Sequence, residues 1–309
     1  MINEPKISIV LPTYNGERWL AHSIRSVINQ TEKDWELIIV NDCSTDNTLG
    51  IATYFSKTDK RISIISNNRN RKLPASLNIG FSHVKGKYLT WTSDDNLYKP
   101  QAIEKMSKYL DMHPETDMVV MGQDFIDENG NIITVDDKYA YKNNRRVEEL
   151  IYRNNVTAGF MYRKSIAEAV GLYDEFTFCA EDYDYWCRIA LAGKIDYTTD
   201  NIYQYRINPF SLSATKRPQI IEKTKYIRRK YSEDFMKKFN YTLLDKIIFW
   251  AGLKGCTFPK KYFVYLLLFK IYHLFVHIIV LTLFWNRQLR RKVRKSLSIN
   301  NYSFYKAEK

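Results

Sequence analysis

Short apolar runs alternate with helix-like segments through the first 115 residues of this chain, and that alternation restricts the fold more than any other feature. The apolar runs cover residues 7–11, 35–40, 61–65 and 87–93. Between the first two runs, residues 17–30 place Trp19, Ile24 and Val27 on one helical face. Short strands that alternate with helices in this way predict an α/β fold with a mostly parallel, Rossmann-like sheet flanked by helices.

The pattern changes near residue 115. Residues 127–131 carry a hairpin turn signal, residues 181–192 have a helical pattern that ends at Gly193, and late strands are expected near Tyr197 and over 203–207. We therefore predict one domain over residues 1–215, with halves at about 1–115 and 116–215, in which the second half completes a pocket over the first.

Charge is distributed unevenly along the chain. Residues 1–215 contain 25 Lys and Arg against 29 Asp and Glu, a net charge of −4, whereas residues 216–309 contain 22 against 5, a net charge of +17. Such asymmetry indicates an anionic partner for the tail, either a membrane or a nucleic acid. The charge lies in an apolar tail and not among exposed aromatic residues of the body, which disfavours nucleic acid.

The tail itself has membrane-like composition. Residues 262–286 contain a single charge, Lys270, and residues 287–295 contain six basic side chains. We expect residues 216–309 to form an apolar, basic helical extension that associates with an anionic membrane from the cytoplasmic side, lying in the interface, with a single span as the alternative.

Several classes of chemistry have little support in the sequence. The 11 glycines form no G-x-G pair, no phosphate-binding G-x-x-x-x-G-K-[ST] loop occurs, and the five His weaken zinc or His-triad chemistry. The four cysteines form no C-x-x-C pair, and the N-terminus lacks a basic-then-apolar pattern. We therefore expect a reduced, cytosolic setting without a signal peptide.

Polar residues follow the first two predicted strands. Tyr14 comes just after the first strand, where its ring could stack on a nucleotide base or serve the turn itself. Asp42 follows the second strand, where its carboxylate could accept the imide N–H of uracil or thymine, or simply cap the next helix.

Adjacent carboxylates follow the strand at residues 87–93. Burying Asp94 and Asp95 there is costly unless a cation is present, and Mg²⁺ or Mn²⁺ carrying a phosphate would supply one. The alternative is a solvated turn before the next helix.

A third acidic group occurs among aromatic residues. Glu181, Asp182 and Asp184 begin the predicted helix that also contains Trp186. Acidic residues at a helix N-terminus complement its dipole, so they could be caps, or one of them could be a general base in an aromatic wall.

In this order and spacing the motifs resemble those of the family 2 glycosyltransferases, which share the GT-A fold. Residues 9–16, 26–31 and 36–46 look like the opening signature of that family, residues 93–96 resemble its metal motif, and residues 181–182 resemble its acidic motif. The resemblance covers roughly residues 6–215.

The resemblance implies roles for individual residues. Residues expected to line the nucleotide are Thr13, Tyr14, Glu17, Asp42, Lys72 and Asp94. Asp95 would hold Mn²⁺ or Mg²⁺, Asp182 would be the catalytic base, and Glu181 and Trp186 would lie near the acceptor.

The implied reaction moves one sugar, with inversion, from a nucleotide diphosphate sugar to a hydroxyl of an acceptor. From the tail we expect the acceptor to be a glycan or lipid-linked glycan, in bacterial cell-surface polysaccharide, O-antigen or capsule assembly. Thr92, Asn41 and Asn208 depart from the family pattern, which frequently has Asp, Asp and His there. The Q-x-x-R-W motif of processive synthases is missing, so a single transfer is expected. The alternatives are a sugar-nucleotide-binding protein without transferase activity and a nucleotidyltransferase.

Overall fold

The computed structural model describes residues 4–135, 147–152 and 154–242 of the 309-residue chain. Within these ranges nine strands form one sheet in the order β3-β2-β1-β4-β8-β6-β9-β5, with β7 paired to β6. The strands are β1 (Ile7–Thr13), β2 (Trp35–Asn41), β3 (Ile62–Ser66), β4 (Tyr88–Trp91), β5 (Leu97–Tyr98), β6 (Met118–Ile126), β7 (Ile132–Val135), β8 (Gly159–Arg163) and β9 (Ile195–Arg206).

Helices cover this sheet. The α-helices are α1 (Leu20–Ile28), α2 (Thr48–Thr58), α3 (Leu73–Phe81), α4 (Ala102–Met112), α5 (Lys164–Val170), α6 (Glu181–Ala192), α7 (Leu212–Thr215) and α8 (Arg217–Lys238), and short 3-10 helices occur at Val147–Ile151 and Glu175–Thr177.

The first half of the chain forms the predicted parallel sheet. Strand β1 pairs in parallel with β2 and β4, and β2 pairs in parallel with β3. Ile9, Val10 and Leu11 are fully buried, as expected for a strand covered on both faces. The first apolar run of the sequence covers residues 7–11, but strand β1 continues through Pro12 to Thr13. Pairing with β4 stops at Val10, so Pro12 lies where one side of the strand is already unpaired.

The second half gives a mixed, curled sheet. Strand β8 runs antiparallel to both β4 and β6, whereas β9 runs parallel to β6 and antiparallel to β5. The predicted hairpin is present between β6 and β7, where the Asp127 carboxylate accepts hydrogen bonds from the backbone of Asn129 and Asn131. The two late strands that we predicted are one continuous strand, β9. The α/β class is confirmed.

Helix α8 packs on α6 through one buried carboxylate. Asp184 is fully buried and accepts hydrogen bonds from Arg188 Nε at 2.9 Å, Lys230 Nζ at 3.2 Å and the Tyr231 hydroxyl at 2.9 Å. Ile227 of α8 is also completely buried. Helix α8 therefore belongs to the folded body, although we had placed residues 216–238 in the extension.

The chain divides into two units, and the boundary lies between Asn240 and Tyr241. Among the described residues, no helix has both the length and the apolar character needed to cross a bilayer. The predicted apolar segment 262–286 and the basic segment 287–295 lie outside those residues.

Asp184→Ala should lower the free energy of unfolding by about 1.5–3 kcal/mol, because the substitution removes the buried acceptor that Arg188, Lys230 and the Tyr231 hydroxyl share. Thermal or urea unfolding of the full chain measures the effect. Asp234→Ala, which changes an exposed carboxylate on α8, is the control and should shift stability by less than about 0.5 kcal/mol. Equal stability of the two variants would contradict a role for Asp184 in holding α8.

Candidate active site

One cleft of about 1040 Å³ opens at the carboxyl ends of the parallel strands. Tyr14 follows β1, Asp42 follows β2, Asp95 follows β4, and Asp182 lies in the first turn of α6; all four line this cleft. The carboxyl ends of parallel strands meet at one edge of a sheet, so residues far apart in the chain come together there.

Most of the other predicted site residues line the same cleft. They are Thr13, Lys72, Asp94, Glu181 and Trp186. Glu17 is different: it does not line the cleft, and its carboxylate accepts a hydrogen bond from the Asn47 backbone at 2.8 Å. The structure therefore places Glu17 as a brace between the loops after β1 and β2.

Asp42 is buried and nearly saturated with donors. Its carboxylate accepts hydrogen bonds from Asn67 Nδ2 at 2.8 Å, the Arg71 N–H at 2.8 Å and the Lys72 N–H at 2.9 Å. Lys72 adopts φ +73°, an unusual left-handed conformation for a residue with a side chain. A carboxylate offers about four acceptor positions, so roughly one remains for a ligand.

Asp94 is held against the turn that follows β1. Its Oδ2 accepts a hydrogen bond from Thr13 Oγ1 at 2.6 Å. A Cβ added at Gly16 would lie 2.3 Å from that oxygen, so the close approach of Asp94 requires glycine there. Burial, with the charge of Asp95 second, raises the pKa of Asp94 to about 7.

Asp95 is anchored by the end of β9. Its Oδ2 accepts a hydrogen bond from Asn208 Nδ2 at 3.3 Å, and its backbone carbonyl accepts one from Arg206 Nε at 2.8 Å. Burial raises the pKa of Asp95 as well.

Thr92, which stands where the family frequently has Asp, is buried and forms a hydrogen bond with the Tyr203 hydroxyl at 2.6 Å. Among the described residues no cluster of three or more His, Cys, Asp or Glu could hold a metal alone.

Two adjacent carboxyl groups at the start of α6 have different surroundings. Asp182 is partly exposed and accepts hydrogen bonds from the Tyr183 N–H at 2.6 Å and Asn154 Nδ2 at 3.3 Å. Glu181 is 4% exposed, and its Oε2 has no hydrogen-bond partner among the described residues.

Burial raises the pKa of both side chains, and the neighbouring Asp182 charge raises the pKa of Glu181 further. The donors around Asp182 stabilise its carboxylate, whereas Glu181 lacks such support at Oε2. The arrangement therefore favours an ionised Asp182 beside a neutral Glu181.

The third acid of this group, Asp184, faces α8 and does not line the cleft. The three carboxylates that are close in sequence thus separate into two at the cleft and one in the interior.

Sequence reasoning missed one wall of the cleft and one buried cation. The missed lining residues are Phe178, Cys179, Phe210, Leu212, Lys216, Gln219 and Ile220. Arg206 is 3% exposed and donates from Nη1 to the carbonyls of Asp127 and Glu128, besides its bond to Asp95. A lone Arg at a strand end gives no periodic signal, so only the departure from the family pattern at Asn208, two residues later, pointed to this region.

Comparison with known proteins gives a consistent result. Residues 8–171 match the family described as Glycosyl transferase family 2. An uncharacterized glycosyltransferase of Methanocaldococcus jannaschii is 32% identical over 259 residues, which cover 79% of this chain and 88% of that protein. EpsE of Bacillus subtilis, a putative glycosyltransferase, is 41% identical over 131 residues, which cover 42% of this chain and 47% of EpsE.

Solved structures share the fold. S. aureus TarS in complex with UDP-GlcNAc matches with a TM-score of 0.64 at 17% identity, over 80% of this chain and 71% of TarS. The Pyrobaculum calidifontis mannosyltransferase PcManGT in complex with GDP-Man and Mn²⁺ matches with a TM-score of 0.56 at 15% identity, over 78% of this chain and 66% of PcManGT. The predicted GT-A fold is confirmed. The chain is a member of glycosyl transferase family 2 and a glycosyltransferase.

Proposed function

We propose that this glycosyltransferase transfers a single sugar, with inversion, from a nucleotide diphosphate sugar to a hydroxyl of a glycan acceptor. The observation that carries the proposal is the convergence of Tyr14, Asp42, Asp95 and Asp182 on one cleft. The complex of the structural neighbour TarS with UDP-GlcNAc supports a nucleotide-sugar donor.

The donor's nucleotide would occupy the side of the cleft at β1 and β2. The open acceptor position on Asp42 suits a base N–H, which uracil, thymine and guanine all provide. Tyr14 is 48% exposed at the cleft, so its ring is free to stack on the base. Lys72 adds a cation, and the hydroxyl of Thr13 fixes Asp94 beside the ribose or sugar.

Asp95, beside Asp94, fits a divalent metal. Mg²⁺ and Mn²⁺ sites of this type use one or two carboxylates and complete their coordination with substrate phosphates and water. Burial raises the pKa of both carboxyl groups, which a nearby cation would reverse. When bound, the metal would neutralise charge on the departing diphosphate. PcManGT, a structural neighbour, was solved with Mn²⁺.

Asp182 is proposed as the general base. Its carboxylate accepts the proton of the acceptor hydroxyl as that oxygen attacks the anomeric carbon of the donor sugar. The bond between that carbon and the diphosphate breaks, and its electron pair leaves with the diphosphate. A single displacement gives a β-linkage from an α-linked donor. Glu181 and Trp186 would contact the acceptor, and the neutral acid of Glu181 can donate a hydrogen bond to it.

The cellular role is proposed from composition and family. A basic, apolar C-terminal region suits an enzyme at the cytoplasmic face of an anionic membrane. We place the enzyme there, in the assembly of a cell-surface polysaccharide such as O-antigen or capsule, with a lipid-linked glycan as acceptor.

Asp182→Asn should reduce the transfer rate by about 10²–10⁴-fold, because the amide cannot accept the acceptor proton. Product formation from radiolabelled nucleotide sugars measures the loss, while donor binding should persist. Glu175→Gln, the same chemical change at an exposed residue, should leave the rate unaltered. An unchanged rate in Asp182→Asn would remove this mechanism.

Nucleotide sugars should raise the melting temperature of the wild-type protein, and Mn²⁺ should enlarge the increase. A screen of uridine, thymidine and guanosine diphosphate sugars identifies the base. In Asp95→Asn the increment due to Mn²⁺ should disappear, because the carboxylate that holds the metal is gone. Asp34→Asn, at an exposed carboxylate outside the cleft, serves as the control. A full Mn²⁺ increment in Asp95→Asn would argue against a metal on Asp95.

Glu181→Gln should stabilise the protein increasingly as pH rises. Because the folded-state pKa of Glu181 is raised, the folded protein binds more protons than the unfolded chain above about pH 4.5, and stability falls with rising pH. Removing the titrating group removes that fall, which can reach about 1.4 kcal/mol per pH unit for one proton.

Melting temperatures from pH 5 to 8 test this expectation, with Glu175→Gln as the exposed control. A difference between Glu181→Gln and wild type that does not change with pH would contradict it.

A further inference from the structure

The wall of the cleft formed by residues 207–221 exposes apolar side chains to solvent. Phe210 is 77% exposed, more than any other large apolar side chain among the described residues. Leu212 is 38% exposed, and both side chains line the cleft. Ile221, in the first turns of α8, is 49% exposed. Adjacent exposed apolar side chains at the edge of a cleft are characteristic of an interaction surface.

The same wall is basic. Residues 207–221 contain two basic side chains, Lys216 and Arg217, and no acidic side chain. Lys216 and Arg217 are both exposed beside the apolar side chains. Neither of them forms an ion pair with another residue in the described part of the chain. Their charge is therefore available to an anionic partner.

We propose that the exposed apolar and basic side chains of this wall dock on an anionic lipid bilayer. They are Phe210, Leu212, Lys216, Arg217 and Ile221, here called the mouth patch. The proposal rests on the proposed function, since it places the acceptor side of the cleft at the membrane surface. Apolar side chains beside Lys and Arg match the acyl boundary and the anionic headgroups of a bilayer.

Two other occupants match the mouth patch less well. An acceptor glycan would stack on Phe210, but Leu212 and Ile221 offer no hydrogen-bond partner to its hydroxyl groups. A second copy of the chain would bring the same excess of positive charge against this surface. An anionic bilayer satisfies both the apolar and the cationic members of the patch.

Hydrogen exchange of the full chain, measured by mass spectrometry, tests the proposal locally. The protein is incubated with vesicles of phosphatidylglycerol and phosphatidylcholine, with vesicles of phosphatidylcholine alone, and without vesicles. Amides of residues 207–217 should exchange more slowly only with the anionic vesicles, whereas residues 48–58 of α2 should not change. The readout is local because residues 241–309 can bind the same vesicles independently.

A triple variant with a matched control distinguishes vesicle binding by the mouth patch from vesicle binding by residues 241–309. Phe210→Ser, Arg217→Gln and Ile221→Ser together should abolish the slowing at residues 207–217. Leu49→Ser, Tyr54→Ser and Lys57→Gln, which make the same kinds of change at exposed positions on α2, should leave it intact. Should the triple variant fail to fold, Arg217→Gln alone should weaken the local protection about fivefold.

Three results would overturn the proposal: no slowing with anionic vesicles, equal slowing in the triple variant, or slowing that depends on protein concentration without vesicles. The vesicles contain no sugar, so nucleotide-dependent melting is an independent measurement. If nucleotide sugars do not raise the melting temperature but anionic vesicles still slow exchange at residues 207–217, only the proposed function is rejected. If nucleotide sugars raise the melting temperature but the vesicles do not slow exchange there, only membrane docking is rejected.

Discussion

The structure depends on how buried carboxylates are stabilised at one end of an apolar sheet. Asp42, Asp94, Asp95 and Glu181 all meet at a cleft whose floor consists of hydrophobic strands, where an unsupported negative charge is costly. Asp42 is supported by three N–H donors. Asp94 has the hydroxyl of Thr13. Oε2 of Glu181 has no hydrogen-bond partner in the described part of the chain, and burial raises the pKa of that side chain to about 8.

The second half of the chain fixes the loops of the first through Arg206. Among the described residues its guanidinium donates to three backbone carbonyls, one on Asp95 and two in the hairpin turn at Asp127 and Glu128. The same turn receives the Trp19 indole N–H at the Glu128 carbonyl, at 3.1 Å. This buried cation thus joins the Asp95 loop to the β6–β7 turn, and Trp19 joins the same turn to the start of α1. The positive charge of Arg206 lies close to the proposed diphosphate site.

The sequence was sufficient for the parts of the fold that depend on local pattern. Apolar runs located the strands, and parallel pairing then required Tyr14, Asp42 and Asp95 to meet at one edge. Contacts between distant segments were beyond such reasoning. Glu17 has the spacing of a ligand residue but braces Asn47 instead. Asp184 was grouped with its neighbours, although its i,i+4 spacing to Arg188 was a signal for an internal pair.

Unoccupied hydrogen-bonding positions on the carboxylates at the cleft indicate where ligands bind better than the mere presence of a charged side chain does. Asp42 keeps roughly one acceptor position after it has bonded three protein donors. Oε2 of Glu181 accepts no hydrogen bond from any described residue. Asp184 is also a carboxylate and is more buried, yet hydrogen bonds from Arg188, Lys230 and Tyr231 leave it no such role. A carboxylate whose donors all come from the protein acts as a structural group, whereas one left partly unmatched at a cleft depends on substrate to complete its hydrogen bonds. This criterion supports our proposal that the base of the donor binds at Asp42 and the acceptor at Glu181.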